Sequence, residues 1–292
     1  MIASAPGKVI LFGEHAVVYG RHAVVSAINL RCYAKAEKAS DITIESPLGK
    51  TSLDFKVHPY VSYAIKRFSE IRPVKGVYLK IWSDIPIASG LGSSSAVTVA
   101  VLKSLDLLFE TNLSNEEIFE LARKVELDVQ GIGSGTDPFV STFGGTWLIP
   151  ERERIDIGDY LDLTVIYTGK ASITSDMVRK VANLREMYGD VIERIFDAID
   201  SISLRSISAL KDRDFEALSF LVRTNQLLLK ALGVSCREID EIVNKLENLG
   251  IPAKITGAGG GGSVIALGSV DLDGYKCLSV SLNAEGVREE KV

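Results

Sequence analysis

The sequence has few of the residues that bind transition metals or form disulfide frameworks. Three cysteines and three histidines occur among its 292 residues. The cysteines are far apart and odd in number, and the histidines do not join them at zinc-like spacing, so neither a zinc cluster nor a disulfide scaffold is expected. This usage is typical of a cytoplasmic protein with reduced thiols. The six residues are Cys32, Cys236, Cys277, His15, His22 and His58.

Long apolar runs and an excess of basic residues are also missing. No stretch approaches the roughly 18 apolar residues of a membrane span, and the first residues lack the apolar core of a secretory signal. The 33 Lys+Arg are outnumbered by 38 Asp+Glu, which argues against a broad nucleic-acid-binding face. An anionic ligand must therefore be held by local groups. With 46% hydrophobic and 24% charged residues, the composition is that of a soluble globular chain of one or two domains.

Proline is absent between residues 151 and 251, although seven of the eight prolines lie at or before Pro150. The first half has short strand-like runs, which are KVILFG, HAVVSAINL, RCYAKAE, DITIES and VYLKIWS. Two helices are predicted there. One begins in the serine run 93–95, and the other begins with a capping box formed by Ser114 and Glu117 and ends near residue 128.

The second half contains long amphipathic stretches with apolar residues three and four positions apart, which predict helices over residues 174–187, 190–210, 214–232 and 236–249. Strand-like LTVIYTG precedes them, and strand-like AKIT and SVIALG flank a glycine run near the end. The pattern predicts an α+β protein with two lobes, residues 1–150 and 151–292, divided in the charged stretch 150–160.

Three glycine-containing segments fit the chemistry of phosphate binding. They are APGKVILFGEHAVVYG (residues 5–20, the first glycine segment), PIASGLGSSSA (86–96, the second) and KITGAGGGGS (254–263, the third). Phosphates bind where backbone N–H groups converge, usually at a helix N-terminus reached through a tight turn. Glycine permits such a turn and allows the backbone to approach the anion closely.

Two familiar nucleotide motifs are matched only in part. Gly49-Lys50-Thr51 resembles the end of a Walker A loop, but residue 44 is isoleucine where the first glycine is needed. LGKTS is therefore predicted to be a hairpin turn. The third segment contains Gly-x-Gly-x-x-Gly from residue 257, but strand-like SVIALG follows where a dinucleotide fold needs a helix. A P-loop NTPase and a Rossmann dehydrogenase are both disfavoured, and NAD titration tests the latter.

Together, the three segments resemble the motifs of the GHMP kinases, in the order of that family and across nearly the whole chain. The matching stretches are Pro6 to Gly20, Pro86 to Ala96 and Lys254 to Gly262. GEHAVVYG and GSGTDPFVSTFGG (133–145) are similar to the mevalonate kinases within that family, and the short chain is similar to their compact archaeal and microbial forms. The resemblance implies the two-lobed GHMP fold: a β-rich, nucleotide-binding N-terminal lobe with buried helices, a helix-rich α/β C-terminal lobe, and an active site between them.

The resemblance also implies an activity and its alternatives. The expected reaction is Mg²⁺- and ATP-dependent phosphorylation of (R)-mevalonate to 5-phosphomevalonate, a step of isoprenoid biosynthesis. The resemblance alone also implies a homodimer. Another GHMP kinase acting on phosphomevalonate, homoserine or a sugar is the first alternative. A catalytically silent nucleotide-binding module is the second, and the presence of Lys8, Ser94, Glu126 and Asp137 argues against it.

Residue roles are carried over from the family by position. Asp137, eleven residues after Glu126, is expected to face the attacking hydroxyl with Lys8 beside it, and Ser94 and Glu126 are expected to hold Mg²⁺. Aspartate has a pKa of about 3.9, far below that of an alcohol, so Asp137 mainly orients the hydroxyl and accepts its proton late. The ordinary alternatives are a helix-start aspartate for Asp137 and a solvated helix-face acid for Glu126.

The ligand contacts implied by the resemblance form two sets. Those to the nucleotide are Ser83, Pro86, Ser89, Gly90, Leu91, Gly92, Ser93, Ser94, Ser95 and Ala96. Those to the acceptor are Lys8, Glu14, His15, Asp137, Thr174, Gly257, Ala258 and Gly259. Arg179, which follows Thr174 by about one turn, is a further candidate for the substrate carboxylate. The ordinary alternative for Thr174 is a helix N-cap, and that for His15 is a satisfied structural histidine.

Overall fold

The computed structural model describes residues 1–86, 89–131, 133–158 and 161–291. Its strands are β1 (Ile2–Phe12), β2 (Ala23–Lys38), β3 (Ile42–Ser46), β4 (Gly49–Thr51), β5 (Val77–Ser83), β6 (Thr146–Ile149), β7 (Glu153–Arg154), β8 (Asp162–Tyr167), β9 (Ala253–Thr256), β10 (Ser263–Leu267), β11 (Lys276–Ser281) and β12 (Arg288–Glu289). Its α-helices are α1 (Pro59–Ser69), α2 (Ser93–Phe109), α3 (Asn115–Gln130), α4 (Thr136–Phe143), α5 (Thr174–Met187), α6 (Gly189–Asp212), α7 (Phe215–Ala231) and α8 (Arg237–Asn248).

The strands form two sheets. The larger has the order β12-β1-β2-β5-β3-β4, with β6 paired to β2 and β7 to β6. The smaller has the order β11-β8-β10-β9 and is antiparallel throughout. The predicted boundary stretch 150–160 lies partly in β7, and residues 159 and 160 lie outside the described residues. Strands β7 and β12 follow residue 150 in the sequence but belong to the larger sheet. That sheet is therefore not confined to the predicted lobe of residues 1–150, and the division at residue 150 stays a prediction.

Helix α2 is central to the N-terminal lobe. It packs against β1 and β2, and its Val99, Ala100, Leu102 and Leu105 are 0% exposed. A helix that is apolar on most faces is stable only when it is buried on most faces, which is the environment found. Its first turn is therefore fixed relative to β1, the strand that carries Lys8.

A register shift in the β1–β2 pairing lies between Pro6 and Lys8. Such a bulge bends the strand locally and re-aims the following side chain. Lys8 is 4% exposed, on a strand that is buried along most of its length. Ser141 on α4 donates a hydrogen bond to the Pro6 carbonyl at 2.9 Å, which fixes α4 against the same bulge.

The α+β class and the four helices of the second half are confirmed. So is the capping box, in which Ser114 accepts from Glu117 N–H at the start of α3. The expectation of two helices in the first half was wrong, because α1 and α4 are also present. Pro59 starts α1 and Pro138 lies in the first turn of α4, where proline's missing N–H costs no helical hydrogen bond. HAVVSAINL and RCYAKAE form one strand, β2, and LGKTS lies in the predicted hairpin, with Ser46 paired to Gly49.

None of the helices in the described ranges combines the length and the apolar character that crossing a bilayer demands.

Candidate active site

Lys8 and Asp137, far apart in sequence, form an ion pair. The Lys8 Nζ lies 3.3 Å from Asp137 Oδ1. The lysine side chain is 5% exposed and the aspartate side chain is 33% exposed. Asp137 lies in the first turn of α4, whose N-cap is Gly135 with φ +72°. The pair therefore has a buried cation on the strand side and an accessible carboxylate at a helix N-terminus.

The second glycine segment covers this pair. The Lys8 N–H donates to the Leu91 carbonyl at 2.9 Å. A Cβ on Gly92 would lie 3.0 Å from Lys8 Cγ and 3.7 Å from Asp137 Oδ2, and Gly92 has φ +73°. Only glycine fits that position without strain. Because Gly92 is also the N-cap of α2, the free N–H groups of the first helical turn begin beside Lys8 and Asp137.

The third glycine segment meets the second. A Cβ on Gly257 would lie 3.5 Å from the Gly90 carbonyl oxygen, and one on Gly90 would lie 3.7 Å from the Thr256 carbonyl oxygen. The Ser263 hydroxyl donates to the Ser89 carbonyl at 2.8 Å. The predicted convergence of the glycine segments is thus present in the structure. Residues 87 and 88 of the second segment lie outside the described residues.

Glu126 is a buried acid on the inner face of α3. It is 8% exposed, and its Oε2 accepts a hydrogen bond from Gly135 N–H at 3.0 Å. Burial raises the pKa of Glu126 to about 7, and the negative charge of Asp137 adds to the increase, against the opposing effects of Gly135 N–H, Lys8 and Arg123. The alternative of a solvated helix-face acid is therefore wrong for this residue. Two carboxylates share the field of one lysine, which favours binding of a further cation.

Glu126→Gln is expected to stabilise the metal-free protein at pH 8. The pKa in the folded state is about 7, against an ordinary value of 4.5. The folded state therefore favours the protonated acid. As the pH rises through the range between these two pKa values, the free energy of unfolding falls, by about 3 kcal/mol at pH 8. Glutamine does not ionise, so the variant avoids this loss. Its gain in the free energy of unfolding should shrink below about 1 kcal/mol near pH 4.5. Urea unfolding in EDTA measures it, with exposed Glu120→Gln as the control. Equal gains at both pH values would contradict a raised pKa.

The serine candidates lie at the entrance to α2. Ser94 is half-buried in its first turn, and its carbonyl accepts from the Thr98 hydroxyl at 2.8 Å. The Ser83 hydroxyl at the end of β5 is hydrogen-bonded to the backbone of Ile85 and lies 3.1 Å from the Cys32 thiol. The remaining second-segment candidates surround the same turn. They are Pro86, Ser89, Gly90, Leu91, Gly92, Ser93, Ser95 and Ala96, of which Ser89, Leu91, Gly92, Ser95 and Ala96 are buried.

Thr174 starts α5 and is exposed, but Ile173 takes the N-cap position and no side chain caps the helix. The alternative of a helix N-cap for Thr174 is therefore wrong. Thr174 nevertheless lies near the third segment, since the neighbouring Ser172 hydroxyl donates to the Gly259 carbonyl at 2.6 Å. Arg179 is an exposed residue of the same helix.

Glu14 and His15 face different partners. The His15 Nε2 lies 2.9 Å from the Ala258 carbonyl oxygen, and the residue is 5% exposed. The Glu14 carboxylate forms an ion pair with Lys254, and both side chains are 0% exposed. Burial raises the pKa of Glu14 and lowers that of Lys254, while the attraction between them opposes both shifts. Direct contact of Glu14 with an acceptor stays a prediction, and this geometry does not support it.

The sequence did not identify Lys254 or Asn225 as members of this cluster. The Asn225 Nδ2 donates to the Glu14 carboxylate at 3.1 Å. For Lys254 a signal exists: a lysine within AKIT, a strand whose residues are all buried, needs a buried partner of opposite charge. No local signal identifies Asn225.

Comparison with known proteins matches both halves of the chain. The profile "GHMP kinases N terminal domain" matches residues 59–145, and "GHMP kinases C terminal" matches residues 206–273. The mevalonate kinase of Archaeoglobus fulgidus is 53% identical over 267 residues, which is 91% of this chain and 92% of that protein. The solved Methanococcus jannaschii mevalonate kinase gives a TM-score of 0.85 at 29% identity, over 97% of this chain and 98% of that one. The solved L. major mevalonate kinase in complex with R-mevalonate gives a TM-score of 0.84 at 25% identity, over 97% of this chain and 96% of that one.

Proposed function

The chain belongs to the mevalonate kinases of the GHMP family, ATP-dependent enzymes that phosphorylate a hydroxyl group, and on that premise we propose that it transfers the γ-phosphoryl group of Mg-ATP to the 5-hydroxyl of (R)-mevalonate. The observation that carries the proposal is the Lys8–Asp137 pair beside the N-terminus of α2. It combines an accessible carboxylate, a buried ammonium and free helix N–H groups, which are the groups that phosphoryl transfer needs.

The second glycine segment is the proposed phosphate cradle. Residues 90 to 95 make the turn into α2, with positive φ at Gly90 and Gly92. The N–H groups of the first helical turn lack intrahelical partners and carry the positive end of the helix dipole, so they favour a polyphosphate. The protein's net charge of −5 makes such local donors necessary.

Ser94 and Glu126 are the proposed Mg²⁺ ligands. A hydroxyl and a carboxylate are hard oxygen donors of the kind Mg²⁺ prefers, and Mg²⁺ often takes only one or two protein ligands besides phosphates and water. The described part of the chain holds no group of three or more His, Cys, Asp or Glu residues able to bind a metal. The raised pKa of Glu126 fits a site completed by a cation. The bound ion would neutralise charge on the phosphates.

Gly133→Ala is expected to weaken this site without unfolding the protein. A Cβ on Gly133 would lie 2.2 Å from Glu126 Oε2, so the carboxylate must move away from Gly135 N–H. Displacing a ligand's support typically costs about tenfold or more in metal affinity. The Mg²⁺ concentration for half-maximal activity measures the effect. Gly189→Ala, where a Cβ meets no atom within 4 Å, is the matched control. An unchanged Mg²⁺ requirement in Gly133→Ala would exclude Glu126 as a ligand.

Asp137 is the proposed acceptor of the hydroxyl proton. Its carboxylate orients the attacking oxygen and takes the proton as the new P–O bond forms. Lys8 holds the carboxylate in place through the ion pair and offsets the negative charge that develops on the transferred group. His15, Thr174 and the turn at Gly257, Ala258 and Gly259 are proposed to bind the rest of the acceptor, since the third segment adjoins the cradle at Gly90.

A coupled ADP-release assay tests the function. Purified protein with Mg-ATP should turn over (R)-mevalonate and release ADP and 5-phosphomevalonate in equal amounts. The panel includes phosphomevalonate, homoserine and galactose, because turnover of one of these instead of mevalonate would move the chain to another GHMP activity. ATP binding without turnover of any alcohol would favour a silent nucleotide-binding module. Saturable NAD binding would revive the dehydrogenase alternative.

The setting of the activity is also a proposal. All three cysteines are free thiols, which agrees with a cytoplasmic enzyme. A homodimer rests on family resemblance alone, and light scattering of the purified protein would test it.

A further inference from the structure

A fully buried ion pair joins the first glycine segment to the third. Lys254 lies on β9, and Glu14 lies just after β1, 240 residues away in sequence. Their side chains are in contact and 0% exposed. Removing two charges from water is costly, and a hydrophobic pair of similar volume is often at least as stable. General stability is therefore a weak reason for this pair.

Both charges have several partners. The Lys254 ammonium donates to Glu14 and, at 2.6 Å, to the Ile255 carbonyl, and it lies 5.9 Å from the centre of the Phe12 ring. The Glu14 carboxylate also accepts from Asn225 Nδ2 at 3.1 Å. Charge-assisted hydrogen bonds in a dry environment are directional and strong. The pair therefore fixes where the chain leaves β1 relative to β9.

The residue after Glu14 is held in an unusual conformation. His15 has φ +63° and ψ −46°, a region that residues other than glycine rarely adopt unless their surroundings enforce it. Its Nε2 lies 2.9 Å from the Ala258 carbonyl oxygen. Glu14 and His15 thus attach to β9 and the turn after it at two points, Lys254 and Ala258. A third attachment, between Ile10 and Thr256, precedes them, with distances of 2.9 and 3.1 Å.

The contact with Ala258 defines the state of the imidazole. A carbonyl oxygen only accepts hydrogen bonds, so Nε2 carries the proton. Burial lowers the pKa of His15, which favours the neutral ring, although the Ala258 contact opposes this shift. In that tautomer Nδ1 has a lone pair and accepts from a hydroxyl rather than donating to a carboxylate.

We propose that Lys254 is a positioning residue: through Glu14 it holds His15 against the Ala258 turn, so that His15 Nδ1 accepts a hydrogen bond from a hydroxyl group of the acceptor. The inference rests on the proposed function. It assigns the first and third segments a shared task in acceptor binding, with the carboxylate of Glu14 acting at a distance from the substrate. The nucleotide depends on the second segment, so its affinity should not follow the Glu14–Lys254 pair.

The test separates acceptor binding from stability. Lys254→Met should raise the KM for mevalonate about tenfold, with kcat and the KM for ATP within about threefold of wild type. Lys254→Met leaves Glu14 buried and unpaired, so it should also lower the Tm. The double variant Glu14→Gln/Lys254→Met removes both charges and should recover most of the Tm. It should keep the raised KM, because methionine cannot donate to residue 14 or to the Ile255 carbonyl.

Matched variants complete the experiment. Lys103→Met breaks another ion pair, in which the Lys103 Nζ lies 2.7 Å from Asp106 Oδ2 and the Asp106 side chain is 3% exposed. This variant should have a lower Tm and an unchanged KM for mevalonate. His15→Ala should raise that KM, and adding Lys254→Met should raise it little further, since both changes disable the same contact. Recovery of both Tm and KM in the double variant would reduce the pair to a structural role, as would equal changes in KM for both substrates. Wild-type protein that fails to turn over mevalonate refutes the proposed function instead.

Discussion

Asp137→Asn is expected to lower kcat about a thousandfold while ATP still binds. Asparagine keeps the size of the side chain but cannot take the proton of the attacking hydroxyl. The native carboxylate lies 3.3 Å from the Lys8 ammonium and is 33% exposed, so it is accessible to an acceptor. Steady-state turnover gives kcat, and calorimetric titration gives the affinity for Mg-ATP. Nucleotide affinity should change little, because the cradle is backbone from another segment.

The control for this variant is Asp128→Asn. Asp128 accepts two hydrogen bonds from Arg67, each 2.6 Å long, on the helix that carries Glu126. Its loss should lower stability by up to about 1–2 kcal/mol and leave kcat near the wild-type value. Near-normal turnover by Asp137→Asn would remove that carboxylate from the mechanism, whereas an equal loss in both variants would point to general damage.

Local patterns predicted most of the helices, because their causes are local. Helices α5 to α8 follow from apolar residues three and four positions apart, and the start of α3 follows from the Ser114–Glu117 capping box. The same reasoning missed α1 and α4, although Pro59 and Pro138 lie in first helical turns, where proline is well tolerated.

The site itself could not be obtained from local pattern. Contact between Gly90 and Gly257 depends on how β9 and the turn into α2 are placed by the two sheets. The glycine segments predicted turns that can bind phosphate, and only the family resemblance indicated that these turns share one site. The burial of Glu126 and its raised pKa depend on its distance from Asp137 and on the packing of α3, neither of which the sequence states. Likewise, the family resemblance placed Glu14 at the acceptor, and no local pattern indicated its pairing with Lys254, 240 residues away.

Lys8→Met is expected to lower kcat about a hundredfold or more. Lys8 is the cation paired with Asp137, and it is also one of the groups that lower the pKa of Glu126. Methionine fills most of the buried volume but leaves the two acids without that charge. The pKa of Glu126 should then rise further, so more Mg²⁺ is needed to keep it ionised. Measuring kcat at several Mg²⁺ concentrations separates the higher Mg²⁺ requirement from the loss of charge stabilisation. Saturating Mg²⁺ should overcome the higher requirement but should not restore the charge that Lys8 supplied.

A double-mutant cycle decides whether Lys8 and Asp137 act as one unit. If the ammonium works by holding the carboxylate in place, Lys8→Met adds little in the Asp137→Asn background, and the combined loss is far below the product of the single losses. Lys230→Met, which removes an exposed lysine paired with Asp240 at 2.8 Å, should change neither kcat nor the metal requirement. Losses that multiply would mean that Lys8 contacts the transferred group independently of Asp137. In that case the 3.3 Å ion pair would not be the source of the catalytic effect of Lys8.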